Sequence, residues 1–487
     1  MTKPIETNIL HLNRPEYIGS GEGILSALAW SLVEDPSSYA PSVYEIAQRD
    51  SAHRRSYKVL ETRPNATGLV HAIAESYGVN FGFDKLLDDG LLDVFRGVIP
   101  AKAIAYPSLP LVPKAAFLQD PRGVKGKKNP ANFARIIEQF YFLGSMHPEA
   151  PNAAATTWFD ILSENEPAEI LRALDDIAGK AGPVQLRNGV GQVAGVTRLV
   201  NTSQEKEKAP EWIRSQSGPN PFQWFKSAWD TLCTPQWKSA LPRRRWCDWL
   251  TCVIRTALGM GYLWEAQFYI HLNKLLSDPE KCNGGSIQPP KIGELLRWTA
   301  GSEKVTARDV NGNIRPVISL GDTIRKLVEE LIANEAENHP SPIPLAEMTF
   351  VQLVEYLSLL VKVSGKNPFQ EIMKTVVKSK AKNTMETLVS SLQCRAETGT
   401  EADFYSMLVL RSRRFLIIEP GPEWIVVMAS LAAKDPGRST TLGQVKQQLQ
   451  MLGLRPSRQV MVNSLEQSGL TRSSHDSDDA LEVAAAF

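Results

Sequence analysis

The chain has 487 residues, 43% of them hydrophobic, and a formal net charge of +1. That apolar content fills real cores and excludes a chain disordered throughout, and the length fits two to four domains at about 100 to 200 residues each. A charge so near zero excludes a global pull toward nucleic acid or anionic membrane, so any such attraction has to be local.

The opening MTKPIETNILHLNRPEY has no apolar run between a basic flank and a small-residue cleavage site, which points to a cytoplasmic chain. Residues 19–35 place Ile24, Leu28 and Leu32 four apart, a helical stripe that stops before Pro36. A second helix is expected over 65–77, and 108–129 reads as loop, with Pro110, Pro113 and Pro121. Ala131–Leu143 and Pro167–Ile177 read as helices, the latter with proline at the first helical position. Residues 184–200 suggest short strands or a turn-rich connection, and TSQEKEKAPEW a solvated linker.

Eight of the eleven tryptophans fall at 212, 224, 229, 237, 246, 249, 264 and 298, among Leu, Val and Ile on helical spacing. Each needs a large buried area and a partner for its N–H, which marks an aromatic helical core. Trp249–Leu276 is long and apolar, but Arg255, Glu265, Gln267, His271 and Asn273 punctuate it, so buried helices are expected and a membrane span is not. In KVTARDVNGNIRPVISL, two β-rich runs flank Asn311-Gly312, a tight-turn dipeptide, so a hairpin is expected. Helices follow over Asp322–Glu335 and Phe350–Val363, then two amphipathic pieces that break near Lys382.

No constellation reaches the specificity of an enzyme signature, and no catalytic residue, cofactor or metal site is expected. The seven histidines are scattered, and Gly189, Gly191 and Gly195 follow no apolar strand. Five cysteines, an odd number, argue for reduced thiols. Cys247 and Cys252 are five apart, which on a helix sends them to divergent faces, so zinc is disfavoured. Asp403 and Glu419, at the end of FLIIEPGPEW, are the nearest approach to a metal-dependent nuclease pair, but no lysine follows Glu419 at the needed offset.

Basic clusters are better supported. Arg54, Arg55 and Lys58 lie in a predicted helix; Lys125, Lys127 and Lys128 lie in a loop; Arg243, Arg244 and Arg245 precede an aromatic helix. From Val361 to Leu416, ten basic residues (362, 366, 374, 378, 380, 382, 395, 411, 413, 414) face five acids (371, 386, 397, 401, 403). Such an excess can neutralise phosphates, with Lys374, Lys378, Lys380, Lys382, Arg411, Arg413 and Arg414 as candidate contacts.

From Glu423 the chain reads as three short amphipathic helices and a terminal hairpin. PEWIVVMASLAA faces Trp424, Val427, Met428 and Leu431 inward; LGQVKQQLQML, capped by Thr440 or Thr441, aligns Leu442, Val445, Leu449 and Leu452. A third helix, capped by Ser457 and closed by Gly469, packs Met461, Val462 and Leu465, and a polar tip then separates 470–472 from 481–483. This order resembles the winged helix-turn-helix superfamily over about an eighth of the chain. The resemblance implies that Arg458, Gln459 and Asn463 read base edges, with Arg455 and Arg472 beside them on double-stranded DNA. Residues 421–487 depart from a strong DNA binder by carrying seven acids against six bases, three of the acids in the tip.

The expected fold is mainly α, a multidomain helical body with a C-terminal winged helix-turn-helix, divided at 1–200, 201–300, 301–420 and 421–487. In broad build it is similar to accessory subunits of prokaryotic antiphage defence or DNA-modification systems. The expectation is a non-catalytic DNA-binding or scaffolding subunit with other protein subunits as partners and no membrane. The alternatives are a stand-alone transcription regulator and an unrecognised metal-dependent nuclease.

Overall fold

The computed structural model describes residues 10–12, 21–32, 44–49, 55–59, 109–117, 133–164, 168–180, 206–216, 220–281, 287, 296–338, 344–372, 382–399, 402–471 and 480–486. Of the described residues 65% are helical and 5% lie in strands, so the chain is mainly α. The helix expected at 65–77, the strands expected within 184–200 and the lysines at 125, 127 and 128 fall outside the described residues.

Helix α1 (Gly21–Ser31) follows the expected stripe, with Ile24 and Leu28 buried. Strands β1 (Tyr44–Arg49) and β2 (Arg55–Val59) then pair antiparallel, Tyr44 opposite Val59 and Ile46 opposite Tyr57. This corrects the helix expected around Arg55 and Lys58. The basic residues there carry no apolar 3.6-residue stripe, whereas Tyr57 and Val59 suit a ladder.

Helices α2 (Phe133–Leu143), α3 (Ala153–Ser163), α4 (Glu169–Lys180), α5 (Glu211–Arg214), α6 (Pro221–Leu232) and α7 (Pro235–Ala240) precede the central element, α8 (Arg243–Leu276). The expected linker is solvated only in part: Glu207 exchanges two backbone hydrogen bonds with Glu149, and Trp212 is fully buried. The 34 residues of α8 span about 51 Å at 1.5 Å per residue, and most of them are buried on every side of the helix. All eight clustered tryptophans are buried; Trp229 donates to the Ala154 carbonyl at 3.0 Å and Trp246 to that of Leu232 at 2.8 Å, whereas the buried indole N–H groups of Trp212 and Trp224 have no hydrogen-bond partner among the described residues. Among the described residues no helix is long and apolar enough to cross a membrane.

The hairpin expected at 304–320 is absent. That stretch forms α9 (Val305–Arg308) and the first turns of α10 (Asn311–Asn338). The buried residues Ile314, Ile318, Ile324, Val328 and Ile332 make one helical stripe, and the pull of that face onto α8 outweighs the turn preference of Asn311-Gly312. The two helices approach so closely that a Cβ on Gly321 would lie 2.6 Å from the Ala266 Cα.

Helix α11 (Phe350–Val363) opens with a capping box between Thr349 and Gln352, followed by α12 (Pro368–Ile372) and α13 (Lys382–Leu392). A two-stranded hairpin of β3 (Leu408–Arg411) and β4 (Phe415–Ile418) leads into α14 (Pro422–Ala433), β5 (Thr440–Thr441), α15 (Leu442–Met451), α16 (Arg458–Gln467) and β6 (Glu482–Val483). One continuous core runs from α1 through α8 into these last helices.

Candidate nucleic-acid interface

The terminal elements form for local reasons that can be read residue by residue. Helix α14 begins at Pro422 after Gly421 and stops where Lys434 turns to a φ of 71°, its N–H closing on the Ser430 carbonyl. Thr441 caps α15 with a full capping box: its hydroxyl accepts from the Gln444 N–H at 3.3 Å, and the Gln444 side chain accepts from the Thr441 N–H at 3.1 Å. Gly453, at a φ of 78°, releases the chain from α15, and Ser457 caps α16 by accepting from the Val460 N–H at 3.4 Å. Gly469, at a φ of 72°, ends α16, and the Leu470 N–H returns to the Leu465 carbonyl at 2.9 Å.

The inward stripe of α15 is buried as expected, at Leu442, Val445, Leu449 and Leu452. In α16 the buried set is Val460, Met461 and Leu465, with Val462 only half-buried. Each fully buried Leu or Val contributes about 1.5 to 3 kcal/mol relative to exposure. Sequence reasoning missed that Thr440 and Thr441 are also a strand: Thr440 pairs with Val483 and Thr441 with Glu482. The Ala484 N–H donates to the Leu470 carbonyl at 2.8 Å, so the segments either side of 472–479 lie together. Arg472 and the acids at 476, 478 and 479 fall outside the described residues.

Packing α16 on α14 leaves its opposite face outward. Gln459 and Asn463 are exposed, one turn apart, and the Gln459 side-chain amide donates to the Asn463 carbonyl oxygen at 2.8 Å. Arg455 is exposed just ahead of the helix, and Arg458 is half-buried in its first turn. Two side-chain amides and two guanidinium groups thus gather around the first turns of α16.

Among the described residues, part of the basic stretch is paired with carboxylates. Lys374, Lys378 and Lys380 fall outside the described residues, and Lys382 starts α13. Lys362 pairs with Glu280 at 3.2 Å. Arg411 is held by Glu397 and Glu419 together, while Arg413 and Arg414 stand exposed at the tip of the β3–β4 hairpin. Two of the three consecutive arginines are also paired: Arg244 faces Asp248 at 3.7 Å and Arg245 faces Glu423 at 3.2 Å.

Asp403, the nearest approach to a nuclease carboxylate, is a buried structural anion. Its oxygens accept from the Arg255 guanidinium at 2.9 and 2.8 Å, and further from the N–H groups of Arg395 and Tyr405. Burial pushes the Asp403 carboxyl up, but Arg255 and the Arg395 N–H outweigh it and hold the group below its ordinary value. Glu419 is spent on Arg411. Cys247 and Cys252 are both buried on α8 and face different neighbours, the Pro110 carbonyl at 3.6 Å and the Tyr405 carbonyl at 3.8 Å.

No family model matches this sequence, and no curated protein matches it either.

Proposed function

We propose that the chain is a non-catalytic, DNA-binding subunit that works beside separately encoded enzymes, and that α16 is its reader. The order helix, strand, two helices and closing strand at 422–483 supports a winged-helix reading, with α16 as the third helix and the paired segments either side of 472–479 as the base of a wing. The observation that carries the reading is the outward amide pair of Gln459 and Asn463, flanked by Arg455 and Arg458 on a capped helix. Amides make two-pronged contacts to adenine edges and arginine to guanine edges, each pair worth about 1 to 3 kcal/mol of discrimination. The helical body, joined to this module through one core, supplies surface for other subunits.

A gel shift with duplex DNA at two salt concentrations tests this. Arg458→Ala and the pair Gln459→Ala with Asn463→Ala are expected to weaken the complex about tenfold or more, with the fold intact. A shift unaffected by either change removes α16 as the reader. Divalent-metal-dependent cutting of plasmid DNA by the purified chain would overturn the non-catalytic assignment.

A further inference from the structure

We propose that the tip of the β3–β4 hairpin is a second phosphate-contact point, in which Arg413 and Arg414 grip the backbone of the duplex read by α16. This rests on the DNA-binding reading above.

The backbone of the tip is the first observation. The Arg414 N–H bonds the Arg411 carbonyl at 3.1 Å, closing a turn whose two central residues, Ser412 and Arg413, have φ of 52° and 55°. Glycine or asparagine fills such positions at little cost, whereas an arginine there is strained, and residues strained in this way cluster at binding sites. The electrostatics point the same way. Glu397 and Glu419 are consumed by Arg411, and among the described residues no carboxylate pairs with Arg413 or Arg414. Arg414 stacks over the Phe415 ring at 5.4 Å, which steadies the guanidinium without cancelling its charge.

The base of the hairpin is rigid. The Leu416 N–H donates to the Asp309 carboxylate at 2.9 Å, and the Val310 N–H to the Leu416 carbonyl at 2.8 Å. Reach is adequate as well. The end of α16 meets the start of α14, Ser468 donating to the Pro422 carbonyl at 3.4 Å, only a few residues beyond β4. The ten residues of α16 extend about 15 Å and the four of β4 about 13 Å, so with the short link to α14 the tip and the start of α16 lie at most about 40 Å apart, on the order of one turn of duplex.

Fluorescence anisotropy with a labelled 30-base-pair duplex, titrated over a range of salt, tests the assignment in the full chain. Arg413→Asn suits the turn and removes the charge; paired with Arg414→Ser it is expected to weaken binding about tenfold at ~0.1 M salt and lower the salt slope by about one to two. The loss should be the same for unrelated duplex sequences, and Arg413→Lys with Arg414→Lys should retain the slope. Thermal stability of Arg413→Asn is expected to equal or exceed that of the native chain. If the intact chain binds duplex and the neutral pair binds it with an unchanged slope, the hairpin assignment alone falls. If the intact chain binds no duplex, both readings fall. Oligoglutamate binding to the native chain but not to the neutral pair, with duplex affinity the same for both, would assign the tip to an acidic protein and overturn the proposal.

Discussion

Arg255, on the central helix α8, and Asp403, ahead of the β3–β4 hairpin, form a two-pronged ion pair whose side chains are 8% and 3% exposed. The same guanidinium donates to the carbonyls of Ser391 at 2.9 Å and Gln393 at 3.2 Å, tying the end of α13 and the following loop to the core. Removing one member of such a buried pair strands the other, at a cost of about 3 to 5 kcal/mol. Arg255→Met is therefore expected to lower unfolding free energy by that order in urea melts. Arg255→Met with Asp403→Leu should recover much of the loss, since no uncompensated charge remains.

The same pair sets an acid limit. The folded Asp403 carboxyl titrates below its ordinary 3.8, so its contribution is complete above that pH and disappears as pH falls through the folded value. Stability curves below about pH 4 should flatten in Asp403→Asn relative to the native chain. An unchanged acid limb would mean that other carboxylates govern acid unfolding.

Glu138 acts in the opposite direction. Burial raises its carboxyl to about 7 despite the Ala154 and Ala155 N–H groups that it accepts at the start of α3. A folded value above the unfolded one means that the folded state holds the extra proton. Stability should thus fall as pH rises from about 4.5 to 7, by no more than about 1.4 kcal/mol per pH unit. Glu138→Gln, which cannot ionise, should remove that slope in melts taken across the window.

Two glycines of α10 separate packing from propensity. A Cβ on Gly312 meets nothing within 4 Å, so Gly312→Ala should stabilise by about 0.5 to 1 kcal/mol. Gly321→Ala drives a methyl into the Ala266 backbone and should cost about 1 to 3 kcal/mol. Paired thermal melts read both signs directly.

Thr441 joins two roles, capping α15 and pairing with Glu482. Thr441→Ala should cost about 1 kcal/mol, and hydrogen exchange should locate the loss in α15 ahead of the body helices.

Much of this was legible in the residues themselves. Phe350–Val363 declares its start and its type, because Thr349 and Gln352 form the cap and the apolar face repeats at helical spacing. The tryptophans were readable as core because they lie among aliphatic residues, and the caps of α15 and α16 are short-range chemistry. What escaped depended on distant partners. Asn311-Gly312 carries a local turn signal that α8 overrides, while the hairpin that does form turns on Ser412-Arg413, which carries no such signal. Thr440 and Thr441 become a strand only because Val483 and Glu482 return from about forty residues away. The commitments of Arg245 to Glu423 and of Asp403 to Arg255 likewise join residues far apart in the chain, which no local window contains.

The end of the chain is fastened to the body by groups on both sides of α14. The Trp237 indole donates to the Lys434 carbonyl at 2.7 Å, the Trp424 indole to the Thr256 hydroxyl at 3.0 Å, and Arg245 meets Glu423. Fixed at both its entry and its exit, α14 has no swivel. Whatever docks on α16 is therefore held at a set angle to the long axis of α8, and a torque applied there is borne by the entire molecule.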